Sequence, residues 1–247
     1  MKPGRILILS AAAILIAGSF FLPNAVAGIS DSNRLNNLRL IDSQSLSFDS
    51  APELSLPERI MLIANSDTEI MALNSGNAMT EDSARSRAVV ELSRFIGEGP
   101  FEFSFRSCVV EESSAAFAID TENPTVNMII WELTLTDADE NTAMVTLDDE
   151  TGMIVKIIFR QGSMSQISSV TNLMPYELME NRLRANAVRM TELMAEYYDL
   201  PIILGDHDFN GVLSYYRGDF MYDGMVISMF GVIRPTGFTM NERTSVS

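Results

Sequence analysis

Residues 127–136 place Ile129, Trp131, Leu133 and Leu135 on one side and Ile130, Glu132, Thr134 and Thr136 on the other, the period-two pattern of a strand. Ala143, Val145 and Leu147 repeat the alternation after a polar turn at 137–141, and 153–160 follows another turn at 148–152, so the run predicts a three-stranded meander. Upstream, the period changes. Ala84, Ala88, Leu92 and Phe95 form one helical stripe with Val89 and Ile96 beside it, while Arg85, Arg87, Glu91 and Arg94 are expected to face away. Thr80 caps this helix, Glu81 and Asp82 suit the positive end of its dipole, and Gly97 and Gly99 stop it. A meander with one apolar face needs a cover, which the helix supplies. Phe101, Phe103 and Phe105 alternate with polar residues and predict a further strand. Pro57 opens a short helix to Ala64, and 65–79 reads as loop.

The same order returns near the C-terminus. Met179, Leu183, Ala187, Met190, Met194 and Tyr197 mark one stripe of a helix over 175–198, whose methionines read as core packing. Short apolar runs follow at 202–204, 212–216 and 225–233, separated by polar residues 206–211 and by Asp223-Gly224. The expected fold class is therefore α+β: a helix packed on an antiparallel β-meander, with the helix-then-strands order occurring twice, at 80–160 and 175–241. The repetition fits two similar modules or one composite sheet carrying two helices.

The N-terminus has a different character. Lys2 and Arg5 precede an uncharged apolar run, 6–22, and Pro23 breaks it before the small-x-small triplet Ala25-Val26-Ala27. Residues 1–27 are thus a signal peptide cleaved after Ala27 or a retained membrane anchor, and both place the remainder outside the cytoplasm. Residues 28–56, rich in Ser, Asn and Asp, read as a flexible spacer. The domain layout expected beyond it is one α+β module at 57–162, then 174–247 as a second α+β unit or an extension of the same sheet.

A formal net charge of −16 in 247 residues argues against nucleic acid and anionic lipid, which bind through clustered Lys and Arg. Any membrane contact is expected through the N-terminal segment alone, if it is uncleaved. The one cysteine, Cys108, cannot form an intramolecular disulfide and reads as a small buried hydrophobe. Candidate chemistry is sparse. Asp206-His207-Asp208 holds the one histidine, but a single His with no Cys partner falls short of a zinc site, and the triplet reads as a turn. Asp137, Asp139 and Asn141 imitate the opening of a calcium loop, with Thr142 where that loop needs Gly. Arg217-Gly218-Asp219 reads as a tight turn. No nucleophile elbow or phosphate-binding loop occurs, so no catalytic, cofactor-binding or metal residue is assigned and no cofactor is expected.

The helix at 80–96, followed by strands that close on Thr146-Leu147-Asp148-Asp149-Glu150-Thr151-Gly152-Met153-Ile154, resembles a PepSY domain over about 80–160. The likeness lies in the closing turn, where an acidic residue and a Gly separate the last two strands, and this chain departs from the short family pattern by a long segment between Cys108 and Asn127. The resemblance implies a PepSY-like, extracytoplasmic, non-catalytic module of the kind found in metallopeptidase propeptides and envelope proteins. The expectation is a binding or regulatory module of the cell envelope, not an enzyme, whose partner is a peptidase or a membrane complex. The alternatives are a hydrolase built on a carboxylate pair or His207, and a structural surface protein.

Overall fold

The structure, a computed structural model, describes residues 54–97, 99–162, 176–210 and 213–241; the export segment expected at 1–27 and all but the end of the spacer lie outside them. Among the described residues no helix is long and apolar enough to cross a membrane. The elements are α1 (Leu56–Ala64), β1 (Thr68–Leu73), α2 (Glu81–Ile96), β2 (Val109–Asp120), β3 (Asn127–Thr136), β4 (Thr142–Asp148), β5 (Ile154–Arg160), α3 (Tyr176–Tyr198), β6 (Ile202–Asn210), β7 (Leu213–Tyr222), β8 (Met225–Arg234) and β9 (Gly237–Met240).

The nine strands form one antiparallel sheet in the order β1-β2-β3-β4-β5-β9-β8-β7-β6. This corrects the expectation of a helix on a meander, occurring twice. β5 pairs with β9, Phe159 opposite Phe238 and Ile157 opposite Met240, so the last strands of the two runs join and the molecule is dominated by a single sheet. Two other segments become sheet, and one expected strand does not. Residues 68–73, read as loop, are β1, which pairs with β2 and is exposed or half-buried beyond Thr68. The segment between Cys108 and Asn127 contains the twelve-residue β2, whose Glu-Glu-Ser-Ser run hides its pattern. The Phe101-Phe103-Phe105 alternation is not a strand: those rings tuck under the sheet around a short 3₁₀ turn at Phe105–Ser107.

One face of the sheet is closed by α2 and α3. Ala84, Ala88, Leu92 and Phe95 of α2, with Leu183, Ala187, Met190 and Met194 of α3, bury against Trp131, Leu133, Val145, Ile157, Tyr216, Phe220 and Met229. The aromatic seam crosses the join: Phe159 and Phe238 stack at 5.5 Å, and Phe95 meets Tyr197 edge-on at 5.3 Å. Glu91, expected outside, is buried in this layer. It accepts from the Tyr197 hydroxyl at 2.7 Å and pairs with Arg87 at 2.9 Å, while Tyr197 in turn accepts the Ile154 N–H at 2.8 Å. Burial, its largest cause, pushes the Tyr197 hydroxyl well above its ordinary range, so it remains a donor to the carboxylate.

Among the described residues, the opposite face is covered at one end, where Leu62 and Ile63 of α1 pack on Ala116, Ala118, Met128, Ile130 and Val155. A buried charge locks α1 there. Arg59 donates to both oxygens of Asp148 at 2.8 Å, to the Leu54 carbonyl at 2.8 Å, and to Glu150. The next residue, Asp149, accepts N–H groups of Asn77, Ala78 and Met79 at 2.8, 2.6 and 3.0 Å and the Trp131 indole N–H at 2.7 Å. The acidic turn between β4 and β5 therefore ties α1, the loop before α2 and the sheet together, and Gly152 closes it at φ 69°.

Candidate functional site

Beyond α1, no described element covers the second sheet face, and β6, β7 and β8 build its most apolar part. Period two divides these strands. In β7, Tyr216 and Phe220 point into the core under α3, which leaves Tyr215, Arg217, Asp219 and Met221 outside. In β8, Ile227, Met229 and Ile233 go in, leaving Val226, Ser228 and Phe230 on the open side, where Val232 is itself buried. Register sets them opposite one another as Tyr215–Val232, Arg217–Phe230, Asp219–Ser228 and Met221–Val226. Leu204 of β6, opposite Asp219, extends the patch. Val226 is 59% exposed, Leu204 55% and Phe230 41%, far from the covered face, where Phe220 and Met229 are inaccessible.

Under α3 the covered side of β7 and β8 is closely packed. A Cβ on Gly231 would lie 2.2 Å from the Tyr216 hydroxyl, which crosses it to donate to the Thr239 carbonyl at 2.8 Å. A Cβ on Gly218 would lie 3.0 Å from Thr191 of α3.

At the centre of the open patch sits a polar knot. Arg217 donates to Asp219 through Nε at 2.8 Å and through a terminal nitrogen at 3.0 Å, and Ser228 donates to the same carboxylate at 2.6 Å. The guanidinium lies over the Phe230 ring, 5.6 Å from its centre. The Arg217 hydrogen bonds, then that of Ser228, hold the Asp219 carboxyl below its usual range. Arg217 is thus pre-oriented, and an oriented Arg ringed by Tyr, Phe, Met and aliphatic side chains has the composition of a protein-interface core.

Farther along the same face, Glu112, Ser114, Glu132, Thr134, Thr146 and Lys156 line an open depression of about 180 Å³. It is too shallow to enclose a substrate.

Arg217-Gly218-Asp219 is therefore mid-strand in β7, not the tight turn expected. Asp206-His207-Asp208 likewise runs within β6. There the two carboxylates sit opposite Arg217 and Tyr215 on the open side, while His207 sits opposite Tyr216 on the other, so the three side chains cannot converge on one ion. Among the described residues no three His, Cys, Asp or Glu side chains gather to hold a metal. Asp137 is occupied in its hairpin, accepting N–H groups of Ser104, Asp139 and Asn141 at 2.8, 2.9 and 3.0 Å and the Asn141 amide at 2.9 Å. Burial pushes its carboxyl up, but these donors together outweigh it and hold the value below the usual range. Cys108 is half-buried, and burial, then the charge of Asp137, raises its thiol, the opposite of a reactive cysteine.

The patch residues Tyr215, Met221, Val226 and Phe230 carry no motif. Their signal is the 214–222 alternation, in which both registers bear aromatic residues and period alone does not say which faces the core. No protein-family model matches the chain, nor does any curated protein or solved structure.

Proposed function

We propose that this chain is a non-catalytic binding module that works outside the cytoplasm and engages a protein of the cell envelope through the open face of β6–β8. The observation that carries this reading is the exposed group Tyr215, Arg217, Met221, Val226 and Phe230 on a sheet whose other face is closed by two helices. Contiguous apolar surface around an oriented Arg is costly to leave in water, and its ordinary use is association. The location draws on the N-terminal segment, with its basic start, apolar run and small-x-small triplet. The regulatory role draws on the PepSY resemblance of residues 80–160, which makes a peptidase or membrane complex the partner.

Affinity capture from the envelope tests this reading. The native chain is expected to retain a protein of discrete mass. A V226D/F230S double variant, folded by circular dichroism, is expected to lose it because it breaks the apolar ring without touching the core. Equal capture by both chains would overturn the assignment.

A further inference from the structure

We infer that β6 is a strand-addition site, and that the partner presents to it an extended segment alternating cationic with apolar or neutral residues. This rests on the binding-module reading and names the chemistry of the partner. Among the described residues β6 ends the sheet, with β7 as its one neighbouring strand, so one row of its backbone donors and acceptors faces away from the described sheet. The strand is accessible along its length, and Ile203 and Leu204 are 48% and 55% exposed. Its side chains on the open face are Leu204, Asp206 and Asp208, in register with Asp219, Arg217 and Tyr215. A strand laid along β6 therefore continues the candidate site, its backbone pairing with β6 and its side chains meeting Leu204, Asp206 and Asp208 in turn.

Charge selects the occupant. Asp206 shares its cross-strand neighbour Arg217 with Asp219, which already holds that guanidinium through both oxygens, and Asp208 stands opposite the uncharged Tyr215, so three carboxylates face one guanidinium and the edge keeps an excess of negative charge. The net charge of −16 reinforces it over longer range and favours a cationic ligand. A second copy is the wrong occupant. Two such acidic edges repel each other, most directly in the antiparallel register about His207, which sets Asp206 of each chain against Asp208 of the other, since opposed like charges destabilise a ladder. The acids thus keep copies apart while admitting a cationic strand.

The test uses the full chain in detergent micelles and a fluorescent peptide, Val-Thr-Lys-Thr-Lys-Thr-Val, read by anisotropy. Two further peptides accompany it: one with Glu for each Lys, and one with the lysines kept but alternate backbone nitrogens methylated. The Lys peptide is expected to bind, with the Glu peptide and the methylated peptide each weaker by about tenfold or more, because one loses charge pairing and the other ladder hydrogen bonds. The D206K/D208K variant is expected to reverse the charge preference. Equal binding of all three peptides, loss with Glu but none on methylation, or a dimer by sedimentation that D206K/D208K abolishes would each overturn the inference. Should the Lys peptide fail while V226D/F230S still abolishes capture of the envelope protein, the strand-addition inference falls and the docking face stands. Should V226D/F230S leave capture intact, the docking face falls instead.

Discussion

Arg59 shows how much one side chain carries in this molecule. It is buried, and its bonds to Asp148, Glu150 and the Leu54 carbonyl hold α1 to the sheet. Removing one partner of a buried pair strands the other, so R59M is expected to cost about 3–5 kcal/mol. Urea unfolding followed by the chain's one tryptophan, Trp131, checks this, and loss of less than about 1 kcal/mol would contradict the buried pairing. Asp137 and Asp219 contribute to the acid limb. Both carboxyls lie below their ordinary value in the folded chain, so their stabilisation is complete above the unfolded value of about 4 and is lost as pH falls through the lower folded value. D137N is expected to lower stability at neutral pH and to flatten its fall below about pH 4, as measured by thermal melts across pH. Cys108 is expected to react with iodoacetamide more slowly at pH 8 than a free thiol, since its pKa is raised and its surface half-covered. None of these roles was legible from composition. Arg59 and Asp148 are 89 positions apart, and only the fold brings them together.

Among the elements, α2 was the most legible. Thr80 accepts the Ser83 N–H at 3.3 Å, as its type and position imply, and the predicted stripe is the buried one. T80A is expected to cost about 1 kcal/mol by the same unfolding measurement. β3 was read at its observed boundaries because one side is uniformly apolar. β2 escaped, and β6 was read only at 202–204, for a physical reason. Glu112, Ser114, Asp206 and Asp208 lie on the open face, where a strand needs no apolar residue, so their runs look like loop or turn. β9 was missed for shortness: four residues, all buried. The runs at 212–216 and 225–233 did point to β7 and β8, but both faces of β7 carry aromatic residues, so the sequence did not say which side forms the candidate site.

At the scale of the whole molecule, the two runs of strands share one core, in which Phe238 of β9 packs on Phe101 and Phe159 while Tyr197 of α3 meets Phe95 of α2. The described body is expected to unfold in a single transition, with Trp131 fluorescence and far-UV circular dichroism coincident. A fragment of residues 54–162 is expected not to fold, because β5 would lose β9 and expose Phe159; a cooperative melt of that fragment would contradict the shared core. The asymmetry of the sheet, one face under α2 and α3 and the other without a covering element from β6 to β8 among the described residues, is the basis of the functional account. Its most direct test is a photocrosslinking side chain placed in living cells at Phe230 on the open face or at Val90 on the exposed side of α2. The account expects a crosslinked product of discrete mass from Phe230 and none from Val90. A product from Val90 with none from Phe230 would place the partner on the helical side and contradict the assignment of the open face.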